Sequence, residues 1–197
     1  MPGPLTSDER RELLLDVTRD LLAEGAPRAV TMGTVAERAE VTRALVYKHF
    51  DNKHDLLAAL YQREAKQLDR AIRAQVTEAP DGFEPKLRAF TRAVLGAAGE
   101  HGRFFASLRA FGASDTTRRD RRSWDRRTVT YFAHLAANEF ALDASAARSV
   151  MSILLSGVDA LIVQVRARST AEDLRVLEDT YVNATLGALT RVASGAG

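Results

Sequence analysis

No cysteine occurs among the 197 residues, which excludes a disulfide framework, a thiolate nucleophile and a thiolate metal site, and suits a reducing cytoplasm. Proline is scarce: five residues at 2, 4, 27, 80 and 85, each where a helix would begin or end. Lysine stands only at 48, 53, 66 and 86, so the 28 basic side chains are mostly arginine. No apolar run approaches the roughly 20 residues of a membrane span. With 46% hydrophobic and 27% charged residues, the expectation is a soluble chain with no membrane partner. The start, Met1-Pro2-Gly3-Pro4-Leu5, lacks the basic-then-apolar pattern of a secretory signal, and the expected location is the cytoplasm.

Signatures of catalysis are missing as well. There is no nucleophile elbow, P-loop or dinucleotide fingerprint. His49 and His54 lie five apart rather than the three or four that would put two ligands on one helical face, and His101 and His134 stand alone. No enzyme, cofactor or metal is expected. Net charge, at +2, does not by itself demand nucleic acid, and residues 1–50 carry seven basic against eight acidic side chains. Any DNA contact must come from where the charges sit.

What is present is helical periodicity almost throughout, predicting an all-α fold of about nine helices. Thr6 and Glu9 form a capping box for a first helix with the stripe Leu14, Val17 and Leu21, stopped by Gly25 and Pro27. Thr31 caps a short helix with Val35, Ala36 and Ala39 inward; Thr42 caps another that runs to about Phe50. Val41 before that cap and Val46 four positions after it suit a hydrophobic staple. Asn52 with Asp55 opens a long helix from about 53 to 78, and 79–82 is a turn. A helix around Leu87, Phe90 and Val94 is expected to break at Gly99–Gly102. A short aromatic helix, a polar segment, a helix on Trp124, Thr128, Tyr131 and Leu135, and two long final helices follow.

Two short helices joined by a tight turn, the second opening with polar and basic residues, are the geometry that presents a helix to the major groove. Within residues 42–50, Val46 and Phe50 face inward and leave Arg43, Tyr47, Lys48 and His49 outward. Arg43 suits a bidentate pair with guanine, and Ala44 or Leu45 a thymine methyl. The stretch Val41-Thr42-Arg43-Ala44-Leu45-Val46-Tyr47-Lys48-His49-Phe50-Asp51-Asn52-Lys53-His54-Asp55-Leu56-Leu57 resembles the signature of the TetR-type regulators. The resemblance implies that Thr42, Tyr47 and Lys53 touch phosphates and that Arg43, Ala44, Leu45, Lys48 and His49 lie nearest base edges. The resemblance extends over about 31 to 57, and Thr31, which opens it, is grouped with them. Two departures stand out. Glu40 replaces the glycine usual in the turn, where a left-handed conformation costs about 1 kcal/mol and a negative charge repels phosphate. Gly33 leaves the preceding helix without a long side chain where some relatives reach DNA.

Two domains are expected: a helix-turn-helix head over 1–52 and a body over 53–197 for effector binding and dimerisation. Phe90, Phe104, Phe105, Phe111, Trp124, Tyr131 and Met151 suit an apolar effector cavity and equally suit ordinary core. The run 118–127 reads as a solvated helix start with intrahelical ion pairs, ahead of a second anion-binding patch. The resemblance implies a dimer interface on the last two helices, with Ile153, Leu154, Gly157, Leu161, Val165, Leu177, Tyr181 and Ala184 as candidates. The function implied is a ligand-responsive repressor binding double-stranded operator DNA as a homodimer under an unidentified small-molecule effector. The alternatives are a small-molecule-sequestering helical protein with a weak DNA head and a helical enzyme.

Overall fold

The computed structural model describes the backbone of residues 5–24, 30–112, 115–165 and 170–195, and their side chains except for 100–125 and 159. Among the described residues there are helices only, in the order α1 Ser7–Glu24, α2 Met32–Arg38, α3 Arg43–His49, α4 Lys53–Glu78, α5 Phe83–Gly112, α6 Asp115–Phe140, α7 Ala144–Ser156, α8 Val158–Val165 and α9 Ala171–Gly195. They fall into two compact units. The head comprises Met1–Lys66 with Arg103–Arg118, and the body Gln67–Gly102 with Arg119–Gly197.

The head is built around one apolar cluster. α1 starts at the expected box: the Glu9 amide donates to Thr6 Oγ1 at 3.3 Å, and the Thr6 amide donates to the Glu9 carboxylate at 2.7 Å. Its Leu14 and Leu15 meet Val30, Met32, Val35 and Ala36 around α2, Val46 and Phe50 around α3, and Leu56, Leu57 and Leu60 of α4. Asn52 caps α4, its Oδ1 accepting from the Asp55 amide at 3.0 Å. Arg63 then ties α4 to α1 through Glu12 at 3.1 Å and Asp16 at 3.0 Å. The first turns of α4 thus belong to the head by packing, and the units divide after Lys66 rather than where the helix starts at 53.

In the body, Phe83, Leu87, Phe90 and Val94 of α5 form one core with Ile72 and Val76 of α4, Phe132 and Ala136 of α6, Met151 of α7 and Val182 and Leu189 of α9. Phe132 is its aromatic hub, with ring centroids 6.1 Å from Phe83, 5.3 Å from Phe90 and 5.1 Å from Tyr131. Two helix ends are sealed from neighbouring helices. The buried Lys86 ammonium donates to the carbonyls of Thr77 at 3.2 Å and Ala79 at 2.8 Å, closing the C-terminus of α4 with a cation. Glu139 of α6 accepts the Phe83 amide at 2.6 Å, placing a carboxylate at the N-terminus of α5. Glu178 of α9, also buried, accepts a forked pair from Arg92 at 3.1 and 2.8 Å.

Three expectations need correcting. α5 does not break at Gly99–Gly102 but runs on to Gly112; a glycine keeps its amide and costs about 1 kcal/mol relative to alanine, so it does not interrupt the hydrogen-bond ladder as proline would. The polar segment after Gly112 is the start of α6, at Asp115. Finally, a stretch within the 22 residues Ala144–Val165 reaches a mean hydropathy of 1.6, enough for a membrane span by length and composition. Here α7 and α8 meet at Gly157, and their Ala147, Met151, Val158, Leu161 and Val165 are buried in the body.

Replacing Lys86 by methionine keeps the length of the side chain and removes the cap from two carbonyls. Lys86→Met is expected to destabilise the protein by about 1–3 kcal/mol, read from urea unfolding; an unchanged midpoint would show that water serves those carbonyls equally well.

Candidate nucleic-acid interface

α2 begins with a reciprocal cap: the Thr34 amide donates to Thr31 Oγ1 at 3.0 Å, and the Thr31 amide donates to Thr34 Oγ1 at 2.9 Å. It ends in a Schellman turn, the Val41 amide donating to the Ala36 carbonyl at 2.9 Å and the Glu40 amide to that of Glu37 at 3.1 Å. Such a turn needs a left-handed residue, and Glu40 supplies it with φ 54°. Thr42 follows at once as the cap of α3, its Oγ1 accepting from the Leu45 amide at 3.3 Å. The chain thereby changes direction between two seven-residue helices with no slack.

α3 is anchored along one side. Val46 and Phe50 are buried, Val41 is packed against the same cluster, and the Arg11 guanidinium lies 5.0 Å above the Phe50 ring. The other side faces outward. Thr42, Arg43, Ala44 and Lys48 are exposed, Leu45, His49 and Lys53 are half-buried, and Tyr47 is 52% exposed. Tyr47 is thus a large aromatic side chain left open to solvent beside Arg43 and Lys48. Thr31 is exposed too, although its hydroxyl is already engaged by the cap. Apart from Thr31, at the start of α2, the residues named for DNA contact therefore lie on α3 and its two flanks.

Residues 14–60 match the sequence model described as "Bacterial regulatory proteins, tetR family". Over these residues the chain is similar to the TetR family. Among curated relatives, the HTH-type transcriptional repressor KstR of Rhodococcus jostii (strain RHA1) is 41% identical over 61 residues, which is 31% of this chain and 29% of that protein. The HTH-type transcriptional activator FasR of Mycolicibacterium smegmatis (strain ATCC 700084 / mc(2)155) is 32% identical over 89 residues, 45% and 40% of the two chains. The chain spans less than half the length of these relatives. Solved structures match over nearly everything. A TetR-like transcriptional regulator from Rhodococcus sp. RHA1 has a TM-score of 0.64 at 21% identity, covering 94% of this chain and 98% of its own. The fatty acid degradation regulator FadR from Bacillus halodurans has 0.63 at 19%, covering 95% and 97%. At such identities what is shared is the TetR-type fold.

The residues named for the body sort differently. Phe90 and Tyr131 line a cavity of about 250 Å³ among α4, α5 and α6. Its apolar wall also includes Ile72, Val76 and Phe132, and its polar wall Asp69, Arg73, Thr77, Arg127 and Thr128. Met151 is fully buried in the core and does not line it. Phe104, Phe105, Phe111 and Trp124 lie outside the residues whose side chains are described. Ile72 and Val76, one helical turn apart on α4, were the legible signal for a wall that a search by aromatics passed over.

Of the residues named for an interface, Leu161, Val165 and Leu177 are buried within the body, where they pack with Leu95. Leu154 packs against the core, and Tyr181 donates its hydroxyl to the Leu154 carbonyl at 2.9 Å. A Cβ at Gly157 would lie 3.6 Å from the Tyr181 ring, so that close approach is within the chain. Burial pushes the Tyr181 hydroxyl well above the usual phenol range. Only Ile153 and Ala184 of that set are exposed, and the outward apolar surface includes Val163 and Val176 as well. The stripe was the right one to read as apolar, but a helix buries its better side in its own core first.

Glu40→Gly is expected to stabilise the protein by about 1 kcal/mol by relieving the left-handed backbone. Glu40→Ala keeps the Cβ and is expected to change the thermal midpoint little. Equal gains from both would mean that the charge, not the conformation, is what costs stability.

Proposed function

We propose that this protein is a transcriptional regulator that binds double-stranded operator DNA as a homodimer and answers to a small-molecule effector held in the body. The observation that carries the reading is the composition of the open side of α3: Arg43, Ala44, Tyr47 and Lys48 face outward from a helix whose other side is locked into the head by Val46 and Phe50. Arg43 and Lys48 suit base edges, with Ala44 and Leu45 at a thymine methyl, while Thr42, Tyr47 and Lys53 suit phosphates. The head's relatives are named as repressors and as an activator. Repression by occluding a promoter is our reading, in the cytoplasm, where the DNA is.

One recognition helix covers only a few base pairs, so a two-fold dimer on a palindrome gives the needed discrimination. Exposed apolar residues of the body are the candidates for it. Ile153 is 71%, Val163 63% and Val176 49% exposed on three consecutive helices, and a helix pair apolar on both sides is normally buried on both. The cavity beside Phe90 and Tyr131 is the candidate effector site, an apolar wall with a few polar groups being the usual make-up of such sites. Because α4 contributes residues to both units, it is the element through which effector occupancy would shift the population of DNA-competent dimers.

Selection from a pool of random duplexes is expected to enrich a palindrome. Arg43→Ala should erase preference at one base pair per half-site, about 5- to 150-fold, whereas Tyr47→Ala should weaken all duplexes alike. No enrichment at low salt would favour the sequestering protein instead. For the interface, Val163→Lys combined with Val176→Lys is expected to halve the mass seen by light scattering. A dimer that survives both charges would place the contact on another face.

A further inference from the structure

Gly33 is the second residue of α2, and Arg43 the first of α3. A Cβ built on Gly33 would lie 2.8 Å from Arg43 Nη2 and 3.1 Å from both Cζ and Nε. The Nε, Cζ and Nη2 atoms of the guanidinium thus rest in the space that any other side chain at 33 would fill. Among the described residues the Arg43 side chain has no hydrogen bond or ion pair, so nothing polar fixes it there. The start of α3 is also the positive end of that helix and gives a cation no hold of its own. Helix stability does not account for the glycine. In a helix glycine is disfavoured relative to alanine, and the atoms that an added Cβ would meet closest all belong to the flexible end of Arg43.

We infer that Gly33 is a positioning residue for Arg43: the missing side chain forms a seat that orients the guanidinium, and so sets how strongly the recognition helix discriminates a base pair. The inference rests on the DNA-binding reading above. An exposed arginine samples many rotamers, and a bidentate pair with guanine uses only those that bring the plane of the fork to the base edge. A backbone surface on one side removes many of the others before DNA arrives. A methyl group at 33 lifts the guanidinium off that surface and returns it to the unrestricted set. The effect passes through Arg43 alone, since residue 33 has no polar side chain to offer.

The test is a double-mutant cycle on the selected duplex and on a duplex altered at the base pair that Arg43→Ala renders indifferent. Gly33→Ala is expected to reduce the preference between the two by about fivefold or more. It should leave the thermal midpoint unchanged or higher, and in the Arg43→Ala background it should not change the affinity for the selected duplex. Full preference in Gly33→Ala, or an equal loss of affinity for the selected duplex in the Arg43→Ala background, overturns the inference. An independent reading comes from the ¹⁵Nε resonance of Arg43 in the DNA-free protein, which is expected to shift on Gly33→Ala. If it does not move, no seat exists. If the wild-type protein selects no duplex, the regulator reading fails on its own account, and the seat is judged by that resonance.

Discussion

Everything the head can do depends on the burial of Val46 and Phe50. A helix of seven residues has no independent stability in water, because the cost of its nucleation is recovered only over a longer span. α3 exists because one of its sides completes a cluster assembled by α1, α2 and the first turns of α4. That single constraint also decides which residues remain outside. With a period of 3.6, fixing positions 46 and 50 inward sends 43, 44, 47 and 48 outward. The Schellman turn at Glu40 and the cap at Thr42 then set the angle between the two short helices. Anchoring, not intrinsic helix propensity, is what presents the surface.

The same logic of completing one element with another runs through the body by a different chemistry. Long helices there need little help along their length, but their ends leave backbone groups unsatisfied. Lys86 serves the end of α4 and Glu139 the start of α5, each with the charge that the helix dipole favours. The buried Glu178 is held by Arg92 across α5 and α9. The contacts of Glu139 and Glu178 are local in space and distant in sequence, and together with Lys86 they fix which helix ends meet. Between those helices a cavity remains beside Phe90 and Tyr131, where large rings leave space that shorter side chains do not fill.

The two left-handed residues, Glu40 and Ala141, mark where geometry overrides residue preference. Both follow helices whose next residue, Val41 or Leu142, returns an amide to a carbonyl five positions back and is drawn inward as an apolar group. Burial of the valine or leucine and the returned backbone hydrogen bond outweigh the roughly 1–2 kcal/mol that an L side chain costs in that conformation. Glu40 therefore leaves the shape of the turn intact while it alters the charge beside the recognition helix.

Local patterns in the chain determined the head almost completely. Caps at Thr6, Thr31, Thr42 and Asn52, the apolar pair at 46 and 50, and the outward polar set are all short-range features, and short-range features are what a sequence states directly. The left-handed Glu40 stands where the resemblance puts a glycine. Tertiary structure alone decided the rest. Whether an apolar residue on α7, α8 or α9 packs inward, as Leu161 and Leu177 do, or stays outside, as Ile153 and Val163 do, depends on which helices lie beside it. Whether Gly99 breaks a helix depends on the packing around that helix. The seat of Arg43 against Gly33, the reach of Lys86 to α4 and the cavity wall of Ile72 and Val76 join residues on different helices. Hydrophobicity says that a side chain will be buried; only the three-dimensional arrangement says against what.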